Sequence, residues 1–170
     1  RIDIFMIHPL QKETVSANAL FPYVLRRGCN NCPTQLALAQ RLEELYGASI
    51  EAGVYKKGEV QIIHFSAAFV SDQYTAGKTR LFDEAGSLLL DVITDPVLEN
   101  VLFKKDYFEQ EKENLIHRIR SRVNDKMRYA IQRCFEVMCA GEPYAIDEEG
   151  DEGEDEVGAH EANEHTEPDE

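Results

Sequence analysis

Residues 16–28 read Ser-Ala-Asn-Ala-Leu-Phe-Pro-Tyr-Val-Leu-Arg-Arg-Gly. Apolar and polar positions alternate at helical spacing from about Ala19 to Arg27, and Gly28 supplies a C-terminal stop, so this stretch predicts an amphipathic helix. Pro22 lacks a backbone donor and is expected in the first turn, where that donor has no helical partner. Upstream, Pro9 to Thr14 is turn-like. Arg1 to His8 sets Ile2, Ile4 and Met6 against Phe5 and Ile7, which predicts a central strand covered on both sides.

Downstream, Thr34 caps a second helix in which Leu38, Leu42 and Leu45 recur at helical spacing before Tyr46-Gly47 ends it. Ser49 to Tyr55 and Val60 to Val70 predict two strands joined by a turn at Lys56-Lys57-Gly58. Helices follow at about Leu81 to Thr94, stopped by Asp95-Pro96, and from about Asp106 to Ala140. In the long one, Phe108, Leu115, Ile119, Val123, Met127, Ala130, Cys134 and Met138 mark one face for packing, with a bend or break near Asn124-Asp125 left open. The order of elements gives an α+β class, with helices packed on a mostly antiparallel sheet and no internal repeat.

Charge divides the chain in two. Residues 147–170 hold 13 acidic residues and no Lys or Arg, leaving 19 acidic against 18 basic residues in positions 1–146 out of totals of 32 and 18. The expected organisation is one domain over 1–146 and an acidic disordered tail over 147–170, since a segment so poor in apolar residues cannot offset the entropy of ordering. A body without a basic face is not expected to bind nucleic acid. No apolar run approaches the roughly 20 residues that span a bilayer, so no membrane partner is expected. The start at Arg1, inside an apolar run, suggests an excised piece of a longer chain.

Four cysteines stand as Cys29-x-x-Cys32 and Cys134-x4-Cys139. The second spacing is loose for a zinc site, Cys134 falls on an apolar helical stripe, and Cys29 follows a helix instead of starting one as in thioredoxin-like motifs. Free thiols are the expected state, in keeping with a cytoplasmic location, and a metal or redox role for the four is left open. His160-Glu-Ala-Asn-Glu-His165 resembles an inverted zinc motif, but its histidines sit five apart, about 140° around a helix, and face different directions. His64 is expected as a core or sheet-edge histidine, His117 on a solvated face, and Asp3 at a sheet edge. No phosphate loop and no Ser/His/Asp elbow is present.

Three blocks carry a resemblance to a known family. Residues 18–28, the segment Arg41-Leu-Glu-Glu-Leu-Tyr-Gly47, and Tyr107-Phe-Glu-Gln-Glu-Lys-Glu-Asn-Leu115 resemble the motif helix, the Leu-Glu-x-x-Gly-Gly segment and the distal-glutamate helix of insulinase/pitrilysin-family metallopeptidases. Together the blocks cover most of residues 1–146. Arg-Arg-Gly-Cys, Lys-Lys-Gly-Glu and Arg-Cys-x-x-x-Met-Cys-x-Gly-Glu-Pro add a closer likeness to a bacterial branch of inactive-looking homologues associated with 5-aminopentanol modification of elongation factor P. The resemblance implies an insulinase/mitochondrial-processing-peptidase-like metallohydrolase domain, incomplete at its ends. After Gly-Glu-Pro-Tyr the tail departs from the family pattern.

Active members bind zinc through H-x-x-E-H and a distant glutamate, and the motif glutamate activates the metal-bound water. Here Ala19 stands at the first histidine, Pro22 at the glutamate and Tyr23 at the second histidine. Alanine donates no lone pair, proline accepts no proton, and a phenol with a pKa of about 10 is a poor ligand. Glu111 matches the distal ligand as a vestige, and Arg118 stands seven residues on, where active relatives often carry another glutamate. The resemblance therefore implies no cofactor, no metal and no catalysis.

The leading expectation is a non-catalytic subunit that pairs as a heterodimer with an active zinc-bearing homologue. The alternative is a free-standing interaction module using the acidic tail. An active metallohydrolase with an unusual site is the least favoured reading. Restoring Ala19→His, Pro22→Glu and Tyr23→His is expected to return zinc affinity through Glu111 without efficient turnover.

Overall fold

The computed structural model describes residues 1–75 and 80–151. The chain runs through β1 (Ile2–Pro9), α1 (Lys12–Leu25), α2 (Gln35–Glu44), β2 (Ser49–Lys57), β3 (Val60–Ala68), α3 (Leu81–Thr94), β4 (Leu98–Glu99), β5 (Leu102–Phe103), α4 (Lys105–Ser121) and α5 (Lys126–Met138). β1, β3 and β2 form an antiparallel sheet in that order, with Ile4 opposite Phe65 and Ala52 opposite Phe65 on the other side. The α+β reading holds, as helices packed on an antiparallel sheet.

The central strand is β3, not β1. β3 carries apolar residues on both faces and is buried along most of its length, whereas β1 alternates half-buried Ile2, Ile4 and Met6 with exposed Asp3, Phe5 and Ile7. An apolar residue on an edge strand has the same sequence signature as one on a central strand, so alternation alone did not separate them. The turn after β2 falls at Gly58-Glu59, where Gly58 adopts φ 60° as the first residue of a two-residue loop.

The helix of the opening stretch begins earlier than its apolar spacing suggests. α1 starts at Lys12, and Pro22 therefore lies in its last turn. A proline there removes one hydrogen bond from the helix, a cost of up to about 3 kcal/mol in an interior position. Burial offsets it, because Val15, Ala19, Leu20, Pro22, Val24 and Leu25 are all inside. Gly28 closes the helix at φ 154°, where an added Cβ would lie 2.5 Å from the Cys32 carbonyl oxygen.

The long helix is broken. Arg122–Asn124 forms a 3-10 turn, and Asp125 caps α5 by accepting a hydrogen bond from the Arg128 backbone N–H. Leu115 and Ile119 of α4 are buried, but no residue of α5 is, and Met127, Ile131 and Met138 lie exposed. The expected packing of one continuous face thus stops at the break. A short hairpin at β4–β5 was not expected from the sequence, since its loop residues Asn100 and Val101 take positive φ without glycine.

The tail boundary at 147 falls inside packed structure. Asp147 is buried, and residues 147–150 form a turn with the Gly150 N–H bonded to the Asp147 carbonyl at 3.1 Å. Gln61, fully buried on β3, donates to the Val15 carbonyl at 2.9 Å and the Glu148 carbonyl at 2.8 Å and accepts from Asn18 at 3.0 Å. One amide thereby joins α1, the sheet and residues 147–150. Residues 152–170, including His160 and His165, lie outside the described residues. Cutting the chain after Ile146 instead of after Asp151 is expected to cost roughly 3 kcal/mol, because Gln61 and Arg122 lose buried partners. Thermal melts of the two truncations, compared with each other, measure it; equal midpoints would show that the turn contributes nothing.

Candidate functional site

Ala19, Tyr23 and Arg27 follow one another at four-residue intervals and so share a stripe of α1. That stripe faces α4, which runs in the opposite direction beside it. At one end Ala19 is fully buried in a cluster with Leu20, Val24, Leu115 and Ile119. A methyl group is small enough to let the two helices approach, and an imidazole there would have to displace this packing, at a cost of about 1–3 kcal/mol.

One turn further along, Tyr23 meets a cation. The Arg118 guanidinium carbon sits 4.0 Å from the centre of the Tyr23 ring. Burial pushes the Tyr23 phenol above its ordinary value, and the charge of Arg118 works in the opposite direction. The phenol therefore stays neutral at physiological pH. The space in front of Gly53 is taken by the Tyr23 hydroxyl, which would lie 3.6 Å from an added Cβ.

At the far end of the stripe Arg27 engages Glu111. Its Nε donates to Glu111 Oε1 at 2.5 Å and its Nη2 lies 2.5 Å from the same oxygen, with both side chains only 12% exposed. Asn114 Nδ2 donates to the second oxygen at 3.3 Å. A carboxylate so occupied is not a free ligand. The structure brings Ala19, Pro22 and Tyr23 together on α1 as the spacing implies, but it places Arg118, not Glu111, across from Tyr23. Glu111 lies seven residues, about two helical turns, from Arg118 on α4, held by Arg27. Sequence reading missed Arg27, whose role is invisible until a residue 84 positions away is folded beside it.

Beyond Arg118 the same face continues to Arg122, which is 2.7 Å from Asp147 and 2.7 Å from Glu149, while Arg118 is 3.5 Å from Glu149. Burial pushes the Asp147 carboxyl up, outweighing its ion pair. The same burial opposes the charge on Arg122, but its acidic neighbours outweigh that and hold it protonated.

The other singled-out residues stand elsewhere. Cys29 and Cys32 are buried free thiols opposite each other in a tight backbone pair, with reciprocal N–H to carbonyl distances of 3.0 and 2.9 Å. Burial raises the Cys29 thiol, which makes it a weaker nucleophile. Cys134 is exposed and Cys139 half-buried, both on the α5 side. His64 bonds Asp3 at 2.9 Å and stacks on Phe5 with ring centroids 4.9 Å apart, so it sits on the open face of the sheet. Arg1 and His64 hold the Asp3 carboxyl below its ordinary value. His117 is exposed on α4. Among the described residues no group of three or more His, Cys, Asp or Glu side chains is placed to hold a metal ion. Nor is any helix there long and apolar enough to cross a membrane. A cleft of about 500 Å³ between the start of α1 and the segment after α5, lined by Lys12, Glu136 and Pro143, lies away from the motif positions.

Helices packed on an antiparallel sheet, with the stripe of Ala19, Tyr23 and Arg27 on α1 facing α4, give an architecture shared with non-catalytic peptidase-like proteins. The fold is that of a peptidase M16 inactive domain from Pseudomonas fluorescens, with a TM-score of 0.62 at 18% identity over 89% of this chain and 34% of that one. The chain is also similar to the probable inactive metalloprotease YmfF of Bacillus subtilis (strain 168), at 38% identity over 146 residues, 86% of this chain and 34% of the relative. A conserved protein from Enterococcus faecalis V583 superposes with a TM-score of 0.81 at 29% identity, over 91% of this chain and 36% of that one. No family model matches the chain. The chain spans about a third of the length of the curated relative it matches.

The geometry changes what a restored metal site requires. Ala19→His, Pro22→Glu and Tyr23→His together are expected to bind zinc poorly, because Arg118 remains above position 23 and Glu111 stays with Arg27. Adding Arg118→Glu removes the opposing cation and supplies a third ligand. Zinc affinity is expected to rise by about 100-fold or more over the triple variant, beyond what outer-sphere changes produce. Competition titration with a chromogenic chelator measures both; a triple variant that already binds as tightly as the quadruple one would restore Glu111 as the distal position.

Proposed function

We propose that this chain is part of a non-catalytic peptidase-like subunit that pairs with an active zinc-bearing homologue and helps to shape the surface presented to a protein substrate. The observation that carries this reading is the Arg118 guanidinium stacked on Tyr23. In this proposal position 118 is the distal-ligand position, and its arginine supplies in fixed form the positive charge that a metal would bring. The fold is thereby kept while the need for an ion is removed. A buried stripe containing Ala19, Tyr23 and Arg27, matched against Leu115, Arg118 and Glu111, is stabilised without zinc and would be disrupted by one.

The name of the Bacillus subtilis relative, a probable inactive metalloprotease, supports the loss of catalysis. Pairing rests on the resemblance to insulinase-type proteins, which often work as paired domains of which one is inactive. A cytoplasmic location and a link to elongation factor P modification belong to the same proposal, through the resemblance of the Arg-Arg-Gly-Cys and Gly-Glu-Pro blocks. Exposed apolar side chains on α5 and on the outer face of β1 are suited to a protein neighbour.

Purified protein is expected to carry no stoichiometric zinc and to cleave no peptide. Co-expression with a homologue that retains H-x-x-E-H, encoded beside this chain, should give a complex that copurifies. Elemental analysis and size-exclusion chromatography check the two parts. One tightly bound zinc per chain, or two proteins that elute separately at micromolar concentration, would each sink the corresponding half of the reading.

A further inference from the structure

Residues 147–150, Asp-Glu-Glu-Gly, occupy a seat built from three elements. Gln61 of β3 donates to the Glu148 carbonyl at 2.8 Å, and Arg122 donates to the Gly150 carbonyl at 3.3 Å. Arg122 also binds both the Asp147 and Glu149 carboxylates at 2.7 Å, and Arg118 stands 3.5 Å from Glu149. Within the turn the Asp147 carboxylate accepts from the Glu149 backbone N–H at 2.9 Å. Arg122, Asp147 and Glu149 have side chains only 12%, 8% and 14% exposed, so this is an enclosed cluster and not a set of surface ion pairs.

The seat reads a particular chemistry. Its contacts go to main-chain carbonyls and to carboxylates, and none of the four residues inserts an apolar side chain. The last position must be glycine: Gly150 adopts φ 83°, and a Cβ there would lie 2.1 Å from Ser16 Oγ. An acidic turn ending in glycine is what fits.

The chain's own segment fills the seat imperfectly. Ser16 Oγ is buried without a hydrogen-bond partner among the described residues, which leaves a desolvated hydroxyl uncompensated. Two carboxylates, Asp147 and Glu149, are also gathered on Arg118 and Arg122 while Glu148 reaches only Arg128 at 4.0 Å, and the neighbouring charges of Glu148 and Glu149 add to burial in disfavouring ionised Asp147. An incoming segment that offers Ser16 an acceptor, or spaces its carboxylates more widely, gains what this one lacks.

We propose that the Arg118–Arg122 seat is a binding site for an acidic, glycine-terminated turn of a partner protein, held closed in this chain by its own residues 147–150. The charge complementarity and the turn already seated there identify the occupant as an acidic peptide segment. The proposal does not depend on the loss of zinc chemistry and survives or fails separately from it.

The test uses the full chain and a fluorescently labelled peptide, acetyl-Ile-Asp-Glu-Glu-Gly-Asp-amide. Gly150→Val in the full chain should unseat the turn, because the added side chain meets Ser16. The peptide is expected to bind this variant about tenfold or more tightly than wild type by fluorescence anisotropy, with affinity falling as salt rises. Arg122→Gln added to Gly150→Val should weaken binding by about tenfold or more, since one buried charge partner is lost. A scrambled peptide of the same composition should not compete. Glu149→Gln, which loosens the turn without adding bulk, serves as the second releasing variant, and circular dichroism confirms that each variant is folded. Equal binding by wild type and both folded releasing variants, no binding by either, indifference to Arg122→Gln, or equal binding of the scrambled peptide would each overturn the proposal.

Discussion

The close approach of α1 to α4 is the contact on which the rest of the structure depends. It needs a small residue at position 19, since Ala19 is fully buried where Leu115 and Ile119 come nearest. Hydrophobic burial of this kind is worth about 25 cal/mol per Å², and it outweighs both the hydrogen bond that Pro22 removes and the entropy of holding the helix. Once the two helices lie side by side, their polar residues are brought into register. Tyr23 meets Arg118, Arg27 meets Glu111, and Arg122 reaches the turn at 147–150. None of these pairs is local in sequence.

The polar residues flanking that contact are paired with one another. A metal site requires donors with free lone pairs pointing at one point, and an opposing cation defeats it. Here the Glu111 carboxylate is held by Arg27, and the phenol at position 23 lies under a guanidinium. Arg118, Tyr23 and Ala19 instead lie within a packed interface between α1 and α4.

The same molecule is well finished on one side and bare on another. The face of the sheet that carries Ile4, Ile63 and Phe65 is covered by helices, while Phe5 and Ile7 on the opposite face and Met127 and Met138 on α5 remain exposed. Exposed apolar groups in contiguous array mark surfaces that meet another protein surface. The matched stretches make up about a third of the length of the similar proteins.

The sequence by itself determined what depends on residue identity and near neighbours. Thr34 capping α2, the glycine turn at Gly58, the stop at Gly28, the interruption near Asn124 and the absence of zinc donors at 19, 22 and 23 could all be read locally. Tertiary structure alone decided what depends on position in the fold. It made β3 and not β1 the central strand, because two-faced apolarity marks burial and exposed edge residues alike. It tolerated Pro22 in the last turn of α1, because packing supplies energy that propensity does not count. It also turned the first acidic residues of the supposed tail into a seated turn, since Gln61 and Arg122 lie 87 and 27 residues from their partners there. Charge composition records how many carboxylates a segment has; only the folded chain shows which of them find a buried cation.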